Sequence, residues 1–168
     1  MLLIFFGPSC SGKSTVATII AARTKAELWA GKDYLRLARH EPEAKKLFTD
    51  MLRSASGKPD FALGSIIYVV TDLAQADFVI EGDTVTTVKF TASPEVLQGR
   101  FRKRAGGQLP PGVAEMLDRQ AQQSGTEKAQ LKFDTSQMHP EIIADAIMVF
   151  AQSRAPNSGS TQKPEIKH

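Results

Sequence analysis

Apolar residues recur along the chain in short continuous runs, separated by stretches with helical spacing. This is the pattern of strands covered on both faces and alternating with amphipathic helices. The first run, Leu2–Phe6, predicts a buried strand, and Lys13–Thr24 predicts a helix. Glu27–Ala30 predicts a short second strand. A well-marked helix follows over Glu41–Ser56: Pro42 suits its first turn, and Ala44, Leu47, Phe48, Met51, Leu52 and Ala55 follow helical spacing. Gly57 stops it and Pro59 reinforces the stop. Ser65–Thr71 is the most β-like segment of the chain, and its unbroken apolar character predicts burial on both faces.

Thr86–Thr91 predicts a fourth strand. Ser93 and Pro94 then open a helix to about Arg104, as N-cap and N1 residues should. Gly106-Gly107 and Pro110-Pro111-Gly112 bracket a loop before a helix containing Leu117 and Ala121. Leu131–Asp134 predicts a fifth strand, and Pro140–Gln152 a final amphipathic helix carrying Ile142, Ile143, Ala146, Ile147 and Phe150. The alternation argues for an α/β fold with a parallel sheet. Phe78-Val79-Ile80, followed by Glu81-Gly82, can be a strand ending in an acid or a connector on the sheet edge. Thr86 lies too close for a parallel crossover, which favours the connector. From Ser153 onward the sequence turns polar without an apolar period, so 153–168 is expected to be a disordered tail beyond a domain over 1–152.

Composition narrows the class. The chain has 168 residues, enough for one domain with a proper core, and its 42% apolar content is ordinary for a soluble protein. No window approaches the ~18 uninterrupted apolar residues of a membrane span. No basic region precedes Leu2–Phe6, so a core strand is expected there and not a signal peptide. The net charge of +3 is too mild for the footprint of a nucleic-acid binder and suits an anionic nucleotide. One cysteine excludes an intrachain disulfide, consistent with a cytoplasmic protein. The three histidines lack metal-ligand spacing, and no zinc site is expected.

The chemistry starts at Gly7-Pro8-Ser9-Cys10-Ser11-Gly12-Lys13-Ser14-Thr15, a complete G-x-x-x-x-G-K-[ST] loop between the first strand and the first helix. Glycines allow successive amides to point inward, Lys13 can reach the β- and γ-phosphates, and the Ser14 hydroxyl can ligate Mg²⁺. The helix N-terminus adds its partial positive charge. Cys10 fills one of the motif's free positions. Asp33, just past the second strand, belongs to the carboxyl edge where ligands gather in parallel sheets. There it can accept the proton of an attacking hydroxyl, or it can simply cap the helix near Tyr34. Asp72, after the strongest strand, is a candidate acid for Mg²⁺, with Glu81 its rival. Arg100 and Arg104 lie four apart on one helical face and can stack on a base or grip phosphates. Arg119 can approach from the helix after the glycine loop. Lys32, Arg36 and Arg39 flank the Asp33 end and can grip an anionic acceptor.

The Gly7–Thr15 loop, Gly31-Lys32-Asp33, the Arg100/Arg104 pair and Phe133-Asp134-Thr135-Ser136 leading to Pro140-Glu141 together resemble the small P-loop kinases. These are the nucleoside-monophosphate kinase-like family with its gluconate, shikimate, adenylyl-sulfate and cytidylate kinases and related AAA-type domains. The resemblance covers about residues 1–152. It implies a P-loop NTPase fold: three α/β/α layers around a five-stranded parallel sheet in the order 2-3-1-4-5, with a short mobile lid at about Lys103–Gln123. It implies an acceptor-facing Asp33, an Arg100/Arg104 pair on adenine and phosphate, and an adenine pocket lined by Asp134–Gln137, with Thr135 and Ser136 in the nucleotide site. The expected activity is transfer of the γ-phosphate of Mg·ATP to a small-molecule hydroxyl, with Lys13, Asp33 and Arg104 at the chemistry, in a monomer or homodimer. No Asp-Gly pair ends the third strand, since Leu73 follows Asp72, and this favours a small metabolite over a nucleotide as acceptor. A nucleotide kinase, a nucleic-acid end kinase, and an ATPase or switch acting on a protein partner stay open as alternatives.

Overall fold

Strand β1 (Leu2–Phe6) is the middle of the sheet in the computed structural model, and each of its five residues is buried. The structure describes residues 1–58, 61–76, 85–123 and 128–154. Pro59, the connector read around Asp77–Asp83 with Glu81, and the tail beyond Arg154 lie outside the described residues. Helix α1 (Lys13–Arg23) follows β1, and then come β2 (Glu27–Ala30), a short 3₁₀ helix over Asp33–Leu37 and α2 (Glu41–Ser56). Next are β3 (Ile66–Val69), a second 3₁₀ turn over Leu73–Ala76, and β4 (Val85–Thr91). Helices α3 (Pro94–Arg104) and α4 (Pro111–Gln123), strand β5 (Leu131–Asp134) and α5 (Pro140–Ser153) complete the domain.

All five strands are parallel, in the order β2-β3-β1-β4-β5. Leu2 pairs with Ile66 on one side and Val85 on the other. Alternation along β1 divides the core in two. Leu3 and Phe5 meet Val16 and Ile20 of α1 and Ile143 and Ile147 of α5. Leu2, Ile4 and Phe6 face the side covered by Ala44, Phe48 and Leu52 of α2. Both faces are therefore dry, which is why the strands read as continuous apolar runs. The fold class expected from the sequence, three layers around this sheet, is the one observed.

Local sequence accounts for the ends of the helices. The Ser93 hydroxyl accepts the Val96 amide as N-cap of α3, and Pro94 occupies the first turn. Gly57 closes α2, its amide donating to the carbonyls of Ala55 and Arg53. Helix α5 runs one residue past the expected end and stops at Arg154, because the polar switch in the sequence begins inside its last turn. The 3₁₀ helix before α2 is fixed from beneath: the Tyr34 ring stacks on Phe48 at 5.7 Å, and Phe48 also meets Trp29 and Tyr68 at 5.0 Å. This aromatic cluster anchors the segment that carries Asp33.

Candidate nucleotide and acceptor site

The loop after β1 is held in a conformation that most side chains do not permit. Gly7 has φ +136°, and a Cβ there would overlap the carbonyl oxygen of Phe90 in β4. Its amide donates to the Thr71 carbonyl at 3.2 Å, tying the loop to the edge of β3. Cys10 takes the left-handed region, φ 63°, without being glycine. Gly12 (φ 89°) precedes α1, and no side chain caps that helix. The first-turn amides of α1 thus end in a concave, positively polarised cradle suited to an anion.

Lys13 closes the cradle. It is 7% exposed, and its Nζ donates to the carbonyls of Gly7 and Pro8 at 2.7 Å, with Ser11 Oγ at 3.4 Å. Burial pulls its pKa from 10.5 down to about 8, and the charge of Arg104 pushes the same way more weakly. Ser14 and Thr15 are exposed at the mouth. The donor set fits a polyphosphate: amides without a side-chain cap, a desolvated ammonium within the loop, and an exposed Ser14 hydroxyl that could ligate Mg²⁺.

Arg100 has a different set of partners from the one its spacing suggests. Its Nη1 donates to the Cys10 carbonyl at 3.2 Å and to Thr135 Oγ1 at 2.8 Å, while Nη2 donates to the Thr135 carbonyl at 2.7 Å. The Thr135 hydroxyl in turn donates to the Ser11 carbonyl at 2.8 Å. One guanidinium therefore knots α3, the loop and the end of β5 together. Ser136 is used one step away, its Oγ accepting the Ser93 amide at 2.9 Å at the start of α3. Arg104, one turn on from Arg100, is exposed, with Nη2 4.0 Å from Cys10 Sγ.

Three cavities meet around the loop. A cavity of about 220 Å³ over Ser11–Thr15 is flanked by Arg100 and Arg104. Beside it a more apolar one of about 190 Å³ lies between Thr15, Thr135, Met138 and Ile143, on the side expected for a base. On the other side a cavity of about 540 Å³ extends from Lys13 and Ser14 past Ala30 and Gly31 to Thr71 and Phe101. Arg104 borders both the first and the last of these.

The carboxylates expected at the chemistry, Asp33 and Asp72, line none of these cavities. Asp33 is exposed, with Oδ2 accepting the Ala30 amide at 2.9 Å, so it ties back to the end of β2 and Lys32 precedes the 3₁₀ helix as its cap. Its neighbours Ala30 and Gly31 line the large cavity. Asp72 is exposed in a turn, Oδ1 accepting the Ala74 amide at 2.9 Å, and Thr71 and Gln75 line the cavity in its stead. Lys32 pairs with Glu41 at 3.3 Å, and the Arg36 guanidinium lies 4.2 Å from the Trp29 ring centroid. Arg39 and Arg119 are exposed and line none of these cavities.

Gln120 carries a contact that no motif announces. Its Oε1 accepts the Ser9 amide at 2.9 Å, docking α4 directly on the loop. A small third core supports this, with Leu97 of α3 and Leu117 of α4 buried against Ala92, and Cys10, Phe101 and Val113 packed alongside. The hint in the sequence is helical spacing alone: Gln120 sits three residues after buried Leu117, at the edge of the apolar stripe. Among the described residues, no cluster of His, Cys, Asp and Glu is placed to hold a metal, and no helix is long and apolar enough to cross a membrane.

No family model matches the chain, and no curated protein sequence matches it. Solved structures do match. An uncharacterised protein from Eubacterium ventriosum superposes with a TM-score of 0.66 at 11% identity, over 91% of this chain and 99% of that one. A sugar kinase from Janibacter gives 0.58 at 19%, over 92% and 98%. Shikimate kinase from Acinetobacter baumannii gives 0.54 at 16%, over 90% and 93%. The fold is that of the P-loop small-molecule kinases, and at these identities the likeness is one of fold.

Proposed function

We propose that the protein is an ATP-dependent phosphotransferase that moves the γ-phosphate of Mg·ATP to the hydroxyl of a small molecule. The observation that carries this is a pair of neighbouring cavities with a shared wall. Lys13, Ser14 and Arg104 border both the cradle over the loop and a second space of about 540 Å³, large enough for an acceptor. A switch protein needs no such second chamber.

In this reading the amides at the start of α1 receive the β- and γ-phosphates, and Lys13 Nζ exchanges its loop carbonyls for phosphate oxygens. Arg104 reaches the γ-phosphate from the α3 side, where negative charge gathers as the bond to the leaving group lengthens. The Ser14 hydroxyl would hold Mg²⁺, which would supply charge neutralisation to the phosphates. Asp72 holds the Ala74 amide with Oδ1, which leaves its second oxygen for that site. The acceptor oxygen forms the new bond to the γ-phosphorus, and the bond to the β,γ-bridging oxygen breaks with its electron pair leaving on ADP. Asp33 lies outside the cavity wall beside Ala30 and Gly31, and its second oxygen takes no hydrogen bond among the described residues; turned towards the acceptor, it receives the hydroxyl proton. Thr135 and the backbone around Ser136 border the base. The segment at about Lys103–Gln123, the glycine loop and α4, acts as the lid that excludes water and so favours transfer over hydrolysis. A cytoplasmic setting, where ATP is plentiful, belongs to the same reading.

Two variants test this. Lys13→Ala should abolish nucleotide turnover. Asp33→Asn should cut transfer by roughly 10²–10⁴-fold, the usual weight of a general base, while leaving the ATP dissociation constant within about threefold. Normal transfer by Asp33→Asn would remove the base assignment.

A further inference from the structure

The larger cavity also carries information about what it accepts. Resting on the kinase reading above, we infer that the acceptor is an uncharged alcohol with an apolar body, and not a carboxylated or phosphorylated one. Of the charged side chains on the cavity wall among the described residues, Lys13 and Arg104 are the only two, and both stand at the phosphate end. Beyond them and the loop residues Ser9, Cys10 and Ser14, the wall is mostly apolar, with Ala30, Val69, Val70, Phe101, Ala105 and Met116. Two polar side chains interrupt it, Thr71 and Gln75, and neither makes a hydrogen bond among the described residues. They are free to bond hydroxyl or amide groups of a neutral ligand.

The neighbouring cations are committed elsewhere. Lys32 is paired with Glu41 and Arg36 stacks on Trp29, and neither they nor Arg39 or Arg119 reaches this wall. An anionic acceptor entering this space would lose its hydration without gaining a partner, because Lys13 and Arg104 are taken by the γ-phosphate. Desolvating an unpaired charge outweighs the gain from packing its apolar part. A neutral alcohol meets no such penalty, and its apolar body gains from Phe101, Val69 and Met116.

The test compares matched pairs with ADP bound and with ATP turning over: nucleosides against their 5′-monophosphates, hexoses against their uronic acids, and 2-phenylethanol against phenyllactate. Equilibrium binding is read by calorimetry and transfer by phosphate-labelled product. The uncharged members should bind at least tenfold more tightly than their anionic partners, with the nucleosides and the aryl alcohol ahead of the hexoses. Met116→Arg, which adds a cation at the rim of the wall, should shift that ratio at least tenfold towards the anionic members. Tighter binding and faster transfer of the anionic members overturn the inference and leave the kinase reading standing. Tight binding of the neutral members with no transfer supports the pocket chemistry and removes the kinase reading. Binding by neither series overturns the inference.

Discussion

Arg100 provides the sharpest way to separate a structural knot from a phosphate grip. Replacing it with alanine removes three donated bonds, to the Cys10 carbonyl, the Thr135 hydroxyl and the Thr135 carbonyl, all between 2.7 and 3.2 Å. Bonds from a charged donor are each worth about 1.5–3 kcal/mol, but these share one half-buried guanidinium, so about 2–4 kcal/mol in total is the reasonable sum. For a domain of this size that lowers Tm by roughly 4–16 °C. The assay is thermal denaturation without nucleotide, followed by titration with Mg·ADP. The knot predicts a loss already present in the free protein, with weaker ADP binding following from a loosened Cys10–Ser11 segment. Arg100→Lys should recover only part of it, since a single ammonium cannot reproduce the two-armed geometry. An unchanged Tm for the free Arg100→Ala protein, combined with weakened ADP binding, would refute the reasoning and restore the phosphate contact implied by the family resemblance.

Other outcomes follow from the same geometry. Gly7→Ala drives a methyl into the Phe90 carbonyl from a backbone at φ +136°, so it should destabilise the domain by more than about 3 kcal/mol, or abolish soluble expression; chemical denaturation measures this. Lys13 has a pKa of about 8 in the free loop, and adjacent phosphate restores its proton, so nucleotide binding should take up about 0.9 proton at pH 9 and about 0.1 at pH 7. Calorimetry in buffers of different ionisation enthalpy reads that uptake, with affinity falling about tenfold per unit as pH rises above 8. For stability the sign is opposite: the unfolded chain holds more protons between pH 8 and 10.5, so the nucleotide-free fold gains stability across that window.

Much of the architecture was legible because it depends on local pattern. Continuous apolar runs mark strands covered on both faces, and Glu41–Ser56 carries its own start, stripe and stop, so its bounds match residue for residue. The strand order came with the family resemblance, since apolar runs do not say which neighbour they pair with. The loop was legible from spacing because each glycine answers a backbone demand, Gly7 against Phe90 above all. Side-chain partners were not legible. Arg100 and Arg104 were placed on one face correctly, but the three acceptors of Arg100 come from segments 35 and 90 residues away. Asp33 and Asp72 sit near the expected edge, yet each is held by a backbone amide two or three residues off, a competition that sequence position cannot reveal. Gln120 went unseen for the converse reason: an amide side chain on a helix has no motif, and its meaning comes only from Ser9 beneath it.

The central claim is that the Lys13 loop holds a nucleoside triphosphate for transfer. Phosphorus NMR of the protein with Mg·ATP and the mixed uncharged alcohols tests it most directly. The account predicts ADP and a new phosphomonoester in equal amounts, both absent with Lys13→Ala. Appearance of inorganic phosphate alone, or a product that persists in Lys13→Ala, would contradict it.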